Sequence, residues 1–307
     1  MLLYETKTPG EANREEIFFD RNTNKMSYKD KNGIIVPFAP TSEFQLKGEN
    51  FTTILANGTD RFQNGNNVIA AYNKALTTTP YGNIIDANNQ FYILLAPGYY
   101  SFNTDFLVTT NYINIVSLTG LRDVFIIGSN TISVTASKVY IQGIDTGILP
   151  FKTSSGGGSQ IIENCKGGDY SFGYTGGAYG TYINCVGGFA SFGGNTVAAG
   201  TFKNCEAQAL SFGGGYNSTS ATGVFKNCVA GSESFGGFNG TASGTFDACS
   251  GGNNSFGSGI SGNASGIFTF CSIQGGSFPT PSGSGKFIYC YDSANPYNAG
   301  FIPQNKL

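Results

Sequence analysis

The sequence predicts an all-β chain wound as a parallel β-helix with rungs of about 21 residues, preceded by a small N-terminal β segment and a capping helix. Three observations carry this. All seven cysteines (Cys165, Cys185, Cys205, Cys228, Cys249, Cys271 and Cys290) recur at intervals of 20, 20, 23, 21, 22 and 19 residues. A Ser-Phe pair follows six residues after each of the first six, from Ser171-Phe172 to Ser277-Phe278. A Gly-x-aromatic precedes most cysteines, with the aromatic at Tyr182, Phe202, Phe225, Phe246, Phe268 and Phe287, and Ile162 in the first copy. The six-residue interval is constant and all slack falls between each Phe and the next Gly. A rigid unit joined by a variable loop is what a stack of equivalent rungs requires.

In chain order, residues 1–49 read as a β-meander, an attachment or assembly segment. Its strands are Glu16–Asp20, Met26–Tyr28 and Ile34–Phe38, with turns at Asn22–Asn24 and Asn32-Gly33. Residues 50–138 are expected to hold a helix and the first, irregular rungs. Val68, Ile69, Tyr72 and Leu76 mark one face of a helix over residues 66–76, placed to cover the open first rung. Phe91–Ala96, Tyr112–Leu118, Val124–Ile127, Ile132–Thr135 and Val139–Ile141 are β-branched runs broken by Gly98, Gly120 and Gly128. Residues 139–297 form the regular rungs, eight in all, and 298–307 a C-terminal tail.

Within a rung, the aromatic and the Cys lie three apart, so a straight strand would point them to opposite faces. Both recur as apolar residues, so a bend must turn both inward. Asn164, Asn184, Asn204 and Asn227 occupy the position before Cys, and Asn is the non-Gly residue most tolerant of a left-handed bend. Ile141-Gln142-Gly143-Ile144, followed by Pro150-Phe151, fits the same frame with Gly at the bend. Cys290 with Pro296-Tyr297 closes the series. Ala248, Phe270 and Tyr289 also stand at the bend, and nothing in their chemistry suits a left-handed residue. The cysteines are expected to be a reduced, inward ladder. Their count is odd, no Cys-x-x-Cys exists, and parallel strands ~4.8 Å apart hold side chains parallel rather than turned together.

Composition narrows the function. Net charge is −2, which gives no electrostatic case for nucleic acid, and no apolar run is long enough for a membrane span. Residues 1–64 carry 17 of the 36 charged side chains, whereas residues 151–290 carry ten, five of each sign. The absence of His removes the commonest general base and zinc ligand, and no cofactor or metal is expected. The chain opens Met1-Leu2-Leu3-Tyr4 and turns polar at Glu5, so no secretory signal of the usual kind is expected.

Phe-x-Asn-Cys at a bend, with stacked inward aliphatic and aromatic rows, resembles the right-handed parallel β-helix of the pectin-lyase-like class. Ile93-Leu94-Leu95-Ala96-Pro97-Gly98-Tyr99-Tyr100 resembles the strand that opens many such helices in bacteriophage tailspikes and tail fibres. The segments Ile17-Phe18-Phe19-Asp20 and Tyr28-Lys29-Asp30-Lys31-Asn32-Gly33 look like N-terminal segments of phage virion proteins. The resemblance implies a virion tail protein made in the host cytoplasm, assembled as a homotrimer with other tail or baseplate proteins, and bound to a host-surface glycan. It implies neither nucleic-acid binding nor membrane insertion.

Many β-helices of this kind cleave polysaccharides, which takes two carboxylates ~5–10 Å apart. Glu163, Asp169, Glu206, Glu233 and Asp247 do not stack as neighbours in rung coordinates, and Asp105, Asp123 and Asp145 are no better placed. Lys166, Lys203 and Lys226 show no consistent carboxylate partner, and six equivalent Ser-Phe serines read as a hydroxyl ladder, not as nucleophiles. No catalytic residue is assigned. The expectation is a non-enzymatic adhesin, with two alternatives: a polysaccharide depolymerase, its carboxylate pair within a chain or between chains, and a purely structural virion or cell-surface β-helix. The variable loops between Phe and Gly are the recognition candidates, with Tyr174, Tyr179, Tyr216 and Phe238, and with Tyr170 just before the Ser171-Phe172 pair, offering flat faces to sugar rings. An ice-binding face is disfavoured because Val224, Ile267 and Lys286 interrupt the Thr181, Thr201, Thr245 row.

Overall fold

The computed structural model describes residues 6–7, 16–20, 25–29, 32–33, 35–37, 50–56, 58, 60–153, 158–173, 176–215, 219–237, 239–258, 262–278 and 285–292. The chain divides into two compact units, Met1–Lys47 and Gly48–Leu307. The first unit holds a four-stranded sheet in which Glu16–Asp20, Lys25–Lys29 and Ile35–Pro37 run antiparallel in sequence order. Thr6–Lys7 adds in parallel beside Glu16–Asp20, an addition the meander pattern does not anticipate.

The second unit is a parallel β-solenoid. Its main face is an eleven-stranded parallel sheet that starts at Phe51–Ile54 and ends at Lys286–Ile288. Ile141, Ile162, Tyr182, Phe202, Phe225, Phe246, Phe268 and Phe287 stand opposite one another in consecutive strands, so the aromatic of the repeat is one column of one sheet. A second face begins with Gly98–Tyr100, Val124–Ile126 and Ile144–Asp145. It continues through single bridges at Lys166, Val186, Glu206 and Val229 to Ser250–Gly251, Ser272–Ile273 and Tyr291–Asp292. Phe106–Val108, Ile132–Val134 and Lys152–Thr153 form a further short parallel sheet in the early rungs.

The bend before each cysteine is left-handed, as the Asn frame requires: φ is 51° at Asn164, 53° at Asn184, 52° at Asn204, 52° at Asn227 and 78° at Gly143. Ala248 (52°), Phe270 (52°) and Tyr289 (53°) take the same conformation. Packing on both sides therefore imposes the bend whatever residue stands there, against a cost of ~1–2 kcal/mol for a non-Gly residue. The bend turns Phe and Cys inward together. Cys165 through Cys290 are all buried free thiols, and burial pushes the thiols of Cys165, Cys205 and Cys249 well up from their ordinary value.

The core of the regular rungs is two parallel columns of rings. Phe202, Phe225, Phe246 and Phe268 stack at 4.7–4.8 Å between centroids. The Ser-Phe rings Phe172, Phe192, Phe212, Phe235 and Phe256 stack at 4.7–4.9 Å. Across the core the columns meet edge to face, as where Phe225 meets Phe235 at 5.6 Å and 88°. Offset stacking along one axis and edge contacts across it satisfy the ring quadrupole in both directions. Tyr182 replaces Phe in one rung, and its buried hydroxyl accepts from Gln160 Nε2 at 3.1 Å. Burial pushes that phenol up to about 12.

The Ser-Phe corner has a geometry that sequence reasoning did not supply. Phe172, Phe192, Phe212, Phe235 and Phe256 are themselves left-handed, with φ between 51° and 59°, and so is the residue before each Ser, from Tyr170 to Asn254. The Gly after Phe is left-handed too: at Gly213 (φ 68°) a Cβ would lie 2.0 Å from the Ser220 carbonyl oxygen. Such a corner breaks the regular backbone ladder, and serine repairs it. The Ser191 N–H donates to Ser211 Oγ at 3.1 Å and the Ser211 N–H to Ser234 Oγ at 3.2 Å, so each hydroxyl accepts from the neighbouring rung. These serines are fully buried, where an unpaired N–H would be costly. The hydroxyl ladder is thus structural.

The helix α1 spans Arg61–Ala75, five residues longer at its start than the apolar pattern suggests, because Asp60 caps it by accepting from the Gln63 N–H at 2.9 Å. It covers the first rung by satisfying its edge groups. Tyr72 Oη accepts from the N–H groups of Thr109 (2.8 Å) and Thr110 (2.9 Å). Asn64 Nδ2 donates to the Tyr99 carbonyl at 2.8 Å, and the Arg61 carbonyl accepts from the Ser101 N–H at 2.8 Å. Gly65 permits this approach, since a Cβ there would stand 2.0 Å from the Ser101 carbonyl oxygen. Val68 and Tyr72 are buried as expected, whereas Leu76 lies at the C-cap, 49% exposed.

Candidate functional site

The segments between Phe and the next Gly, the recognition candidates, contain an ordered piece in the five rungs from Phe172 to Gly266. Val197–Ala198, Ser220–Ala221, Thr241–Ala242 and Asn263–Ala264 form a four-stranded parallel sheet, extended by the Ala178–Ala198 bridge. Ala178, Ala198, Ala221, Ala242 and Ala264 are fully buried. The signal is legible afterwards: Ala stands two residues before the Gly in each of these rungs. Length variation is thereby confined to the stretch between two in-register ladders. Phe to Ala is 6, 6, 9, 7 and 8 residues in the five rungs from Phe172 to Ala264. The length differences therefore fall between the same two ladders in each of these rungs.

The structure places two of the five candidate aromatics. Tyr170 is left-handed (φ 59°), 45% exposed, and its ring meets that of Phe189 from the following rung edge to face at 5.9 Å. Tyr179 is 37% exposed and lies over Gly177, where a Cβ would approach its Cε2 to 2.6 Å. Tyr170 precedes the Ser171-Phe172 corner, and Tyr179 follows the Ala178 bridge. Tyr174, Tyr216 and Phe238 lie outside the described residues. Phe189, half-buried against Tyr170, escaped sequence reasoning because it sits between the repeat's landmarks.

Carboxylates engage in local structure. Glu163 Oε2 accepts from the Tyr140 hydroxyl at 2.6 Å, and Asp169 Oδ1 from the Phe189 N–H at 2.7 Å. Burial and the Glu163 carboxylate push the Tyr140 phenol up. Asp123 accepts from Ser117 Oγ at 2.6 Å and from Thr119 Oγ1. Lys166 lies 3.7 Å from Asp145 and Lys226 3.9 Å from Asp247, so two of the lysines that seemed to lack carboxylates have them on adjacent rungs. Lys152 donates to Asp105 Oδ2 at 2.6 Å. Partial burial works to raise the Asp105 carboxyl, but that bond and the Thr131 N–H hold it below its ordinary value. Glu233 differs: its Oε2 is buried with no partner among the described residues.

Among the described residues, no group of three His, Cys, Asp or Glu is arranged to hold a metal, and no helix is long and apolar enough to cross a membrane. On the corner before each cysteine, Phe270 (58% exposed) and Tyr289 (75% exposed) present rings that the recognition candidates did not include. Their signal in the sequence was their misfit at the bend. Comparison of the chain with protein-family models, with curated proteins and with solved structures finds no match.

Proposed function

We propose that this chain is a subunit of a phage tail fibre or tailspike that holds a host-surface glycan without cleaving it, as a trimer joined to other tail proteins. The observation that supports this reading most is the division between a rigid stack and its variable corner. Two ring columns, a serine ladder and an alanine ladder are kept in register, while length differs between rungs only from Phe to Ala. Variable loops on a rigid scaffold are where recognition sits when a stack serves as a support. Glycine, Ser, Thr and Asn in those stretches supply hydrogen bonds, and Tyr174, Tyr179 and Tyr216 supply flat faces. The test replaces these three tyrosines with Ser. Folding should be nearly unchanged, since substitutions in loops of variable length usually cost little, and attachment to host cells should weaken. Unchanged attachment by a protein that binds in its native form would overturn the loop site and favour a structural stack.

The competing depolymerase reading has one observation in its favour, the unpartnered buried Oε2 of Glu233. Released reducing ends or unsaturated sugars that disappear in Glu233→Gln would establish it.

A further inference from the structure

A ladder of flat side chains runs along the corner before the cysteines, and one layer is missing from it. Asn184, Asn204 and Asn227 each donate from Nδ2 to the Oδ1 of the preceding rung's Asn at 3.0–3.1 Å. Every Oδ1 therefore points toward the following rung. At Asn227, exposed to solvent, the series stops, and no described residue donates to its Oδ1. The next rung carries Ala248, an exposed methyl, and the two after that carry Phe270 and Tyr289. These two rings stack at 5.4 Å with 10° between planes, so Tyr289 covers one face of Phe270 and the other face looks back across Ala248 toward Asn227.

The occupant of Ala248's layer is constrained on both sides. It must give a hydrogen-bond donor to an amide oxygen polarised by the amides behind it, and it must give an apolar face to Phe270. Two rungs separate the Asn227 and Phe270 layers by ~9.6 Å. A planar ring in contact on both sides would span only about 7–8 Å. A puckered pyranose, with C–H groups above and below and hydroxyls at its rim, is thicker and carries both functions. The nearby charges, Lys226 and Asp247, lie 3.9 Å apart and offset each other, which suits a neutral ligand. The choice of residues is otherwise unexplained. Asn at 248 would continue the ladder and relieve a left-handed alanine, and Phe and Tyr at φ 52° and 53° bear strain while leaving their rings exposed.

We infer that the gap over Ala248 is a saccharide subsite, in which a pyranose hydroxyl donates to Asn227 Oδ1 and the sugar's C–H face packs on Phe270. This rests on the glycan-holding reading above and adds a site on a different corner from the variable loops. The test is Ala248→Asn, which fills the layer with a residue suited to the bend and should keep or raise the melting temperature. Saturation-transfer NMR with the methyl glycosides of glucose, galactose and N-acetylglucosamine, and retention on host polysaccharide, are read in parallel. Native protein should bind at least one glycoside, with affinity reduced about tenfold or more in both Ala248→Asn and Phe270→Ala, and unchanged in Leu107→Ser, an exposed position of the early rungs. Sugar binding equal in native protein and Ala248→Asn would overturn the subsite and leave the glycan reading standing. Failure to bind any glycoside or polysaccharide would overturn both. Preference for adenosine over every sugar, or self-association abolished by Ala248→Asn, would overturn it in favour of a flat aromatic ligand or a second copy.

Discussion

Phe225→Ala tests the ring columns at their centre. The Phe225 ring is fully buried, stacked at 4.8 Å on both Phe202 and Phe246, and touches Phe212 and Phe235 edge to face at 5.9 and 5.6 Å. A buried Phe removes at least ~150 Å² from water, worth about 4 kcal/mol at ~25 cal/mol per Å². Alanine retains a fraction of that, while the lost ring contacts and the cavity add to the loss. The rung spacing is pinned by hydrogen-bonded ladders above and below, so the site has little room to collapse, and the cost falls in the ~3–5 kcal/mol range of Phe→Ala replacements. A stack unfolds by neighbouring units rather than as one cooperative whole, so the loss is best read locally by amide hydrogen exchange. The N–H groups of Asn204 and Asn227, which donate to carbonyls of the following rungs, should exchange roughly two to four orders of magnitude faster. The adjacent Val224, 49% exposed, provides the control: Val224→Ser should change exchange by less than ~0.5 kcal/mol. Exchange within threefold of native in Phe225→Ala would refute the argument that this column carries the fold.

Ser211→Ala leaves the Ser191 N–H without its acceptor in a fully buried corner. It should cost about 1–3 kcal/mol, seen as a lower denaturation midpoint; a neutral result would mean the hydroxyl ladder is incidental. Thiol titration without reductant should find close to seven thiols after unfolding and slow reaction before it, and four or fewer would contradict the free ladder. The Asp105 carboxyl is held low in the folded state, so its contribution exists above the ordinary carboxylate value and is lost as pH falls through the lower folded one. The stability gap between native protein and Asp105→Asn should therefore narrow on acidification; a gap that widens would show the sign to be wrong.

The repeat's rigid half was legible because its chemistry is periodic. The constant Cys-to-Phe interval gave the register of the rungs, and the Asn before Cys gave a left-handed bend. Less legible were features that only neighbouring rungs impose. Nothing about a Phe residue announces positive φ, yet five Ser-Phe rings adopt it because stacked partners and serine hydrogen bonds hold them there. Ala248 and Phe270 follow the other bend because their N–H groups donate to the following rung, at Thr269 and Ile288. The buried Ala ladder was readable but small, and it hid among Gly, Ser and Thr in what looked like loop composition. For the candidate site, the sequence pointed to the variable corner, but nothing in it showed that the Tyr170 ring meets Phe189 of the following rung edge to face.

Incubating purified protein with polysaccharide from the host surface, and scoring retention and product release together, bears most directly on the account. It predicts retention that weakens when Tyr174, Tyr179 and Tyr216 become Ser, with no reducing ends or unsaturated sugars appearing. Absence of retention, or accumulation of cleaved glycan, would contradict it.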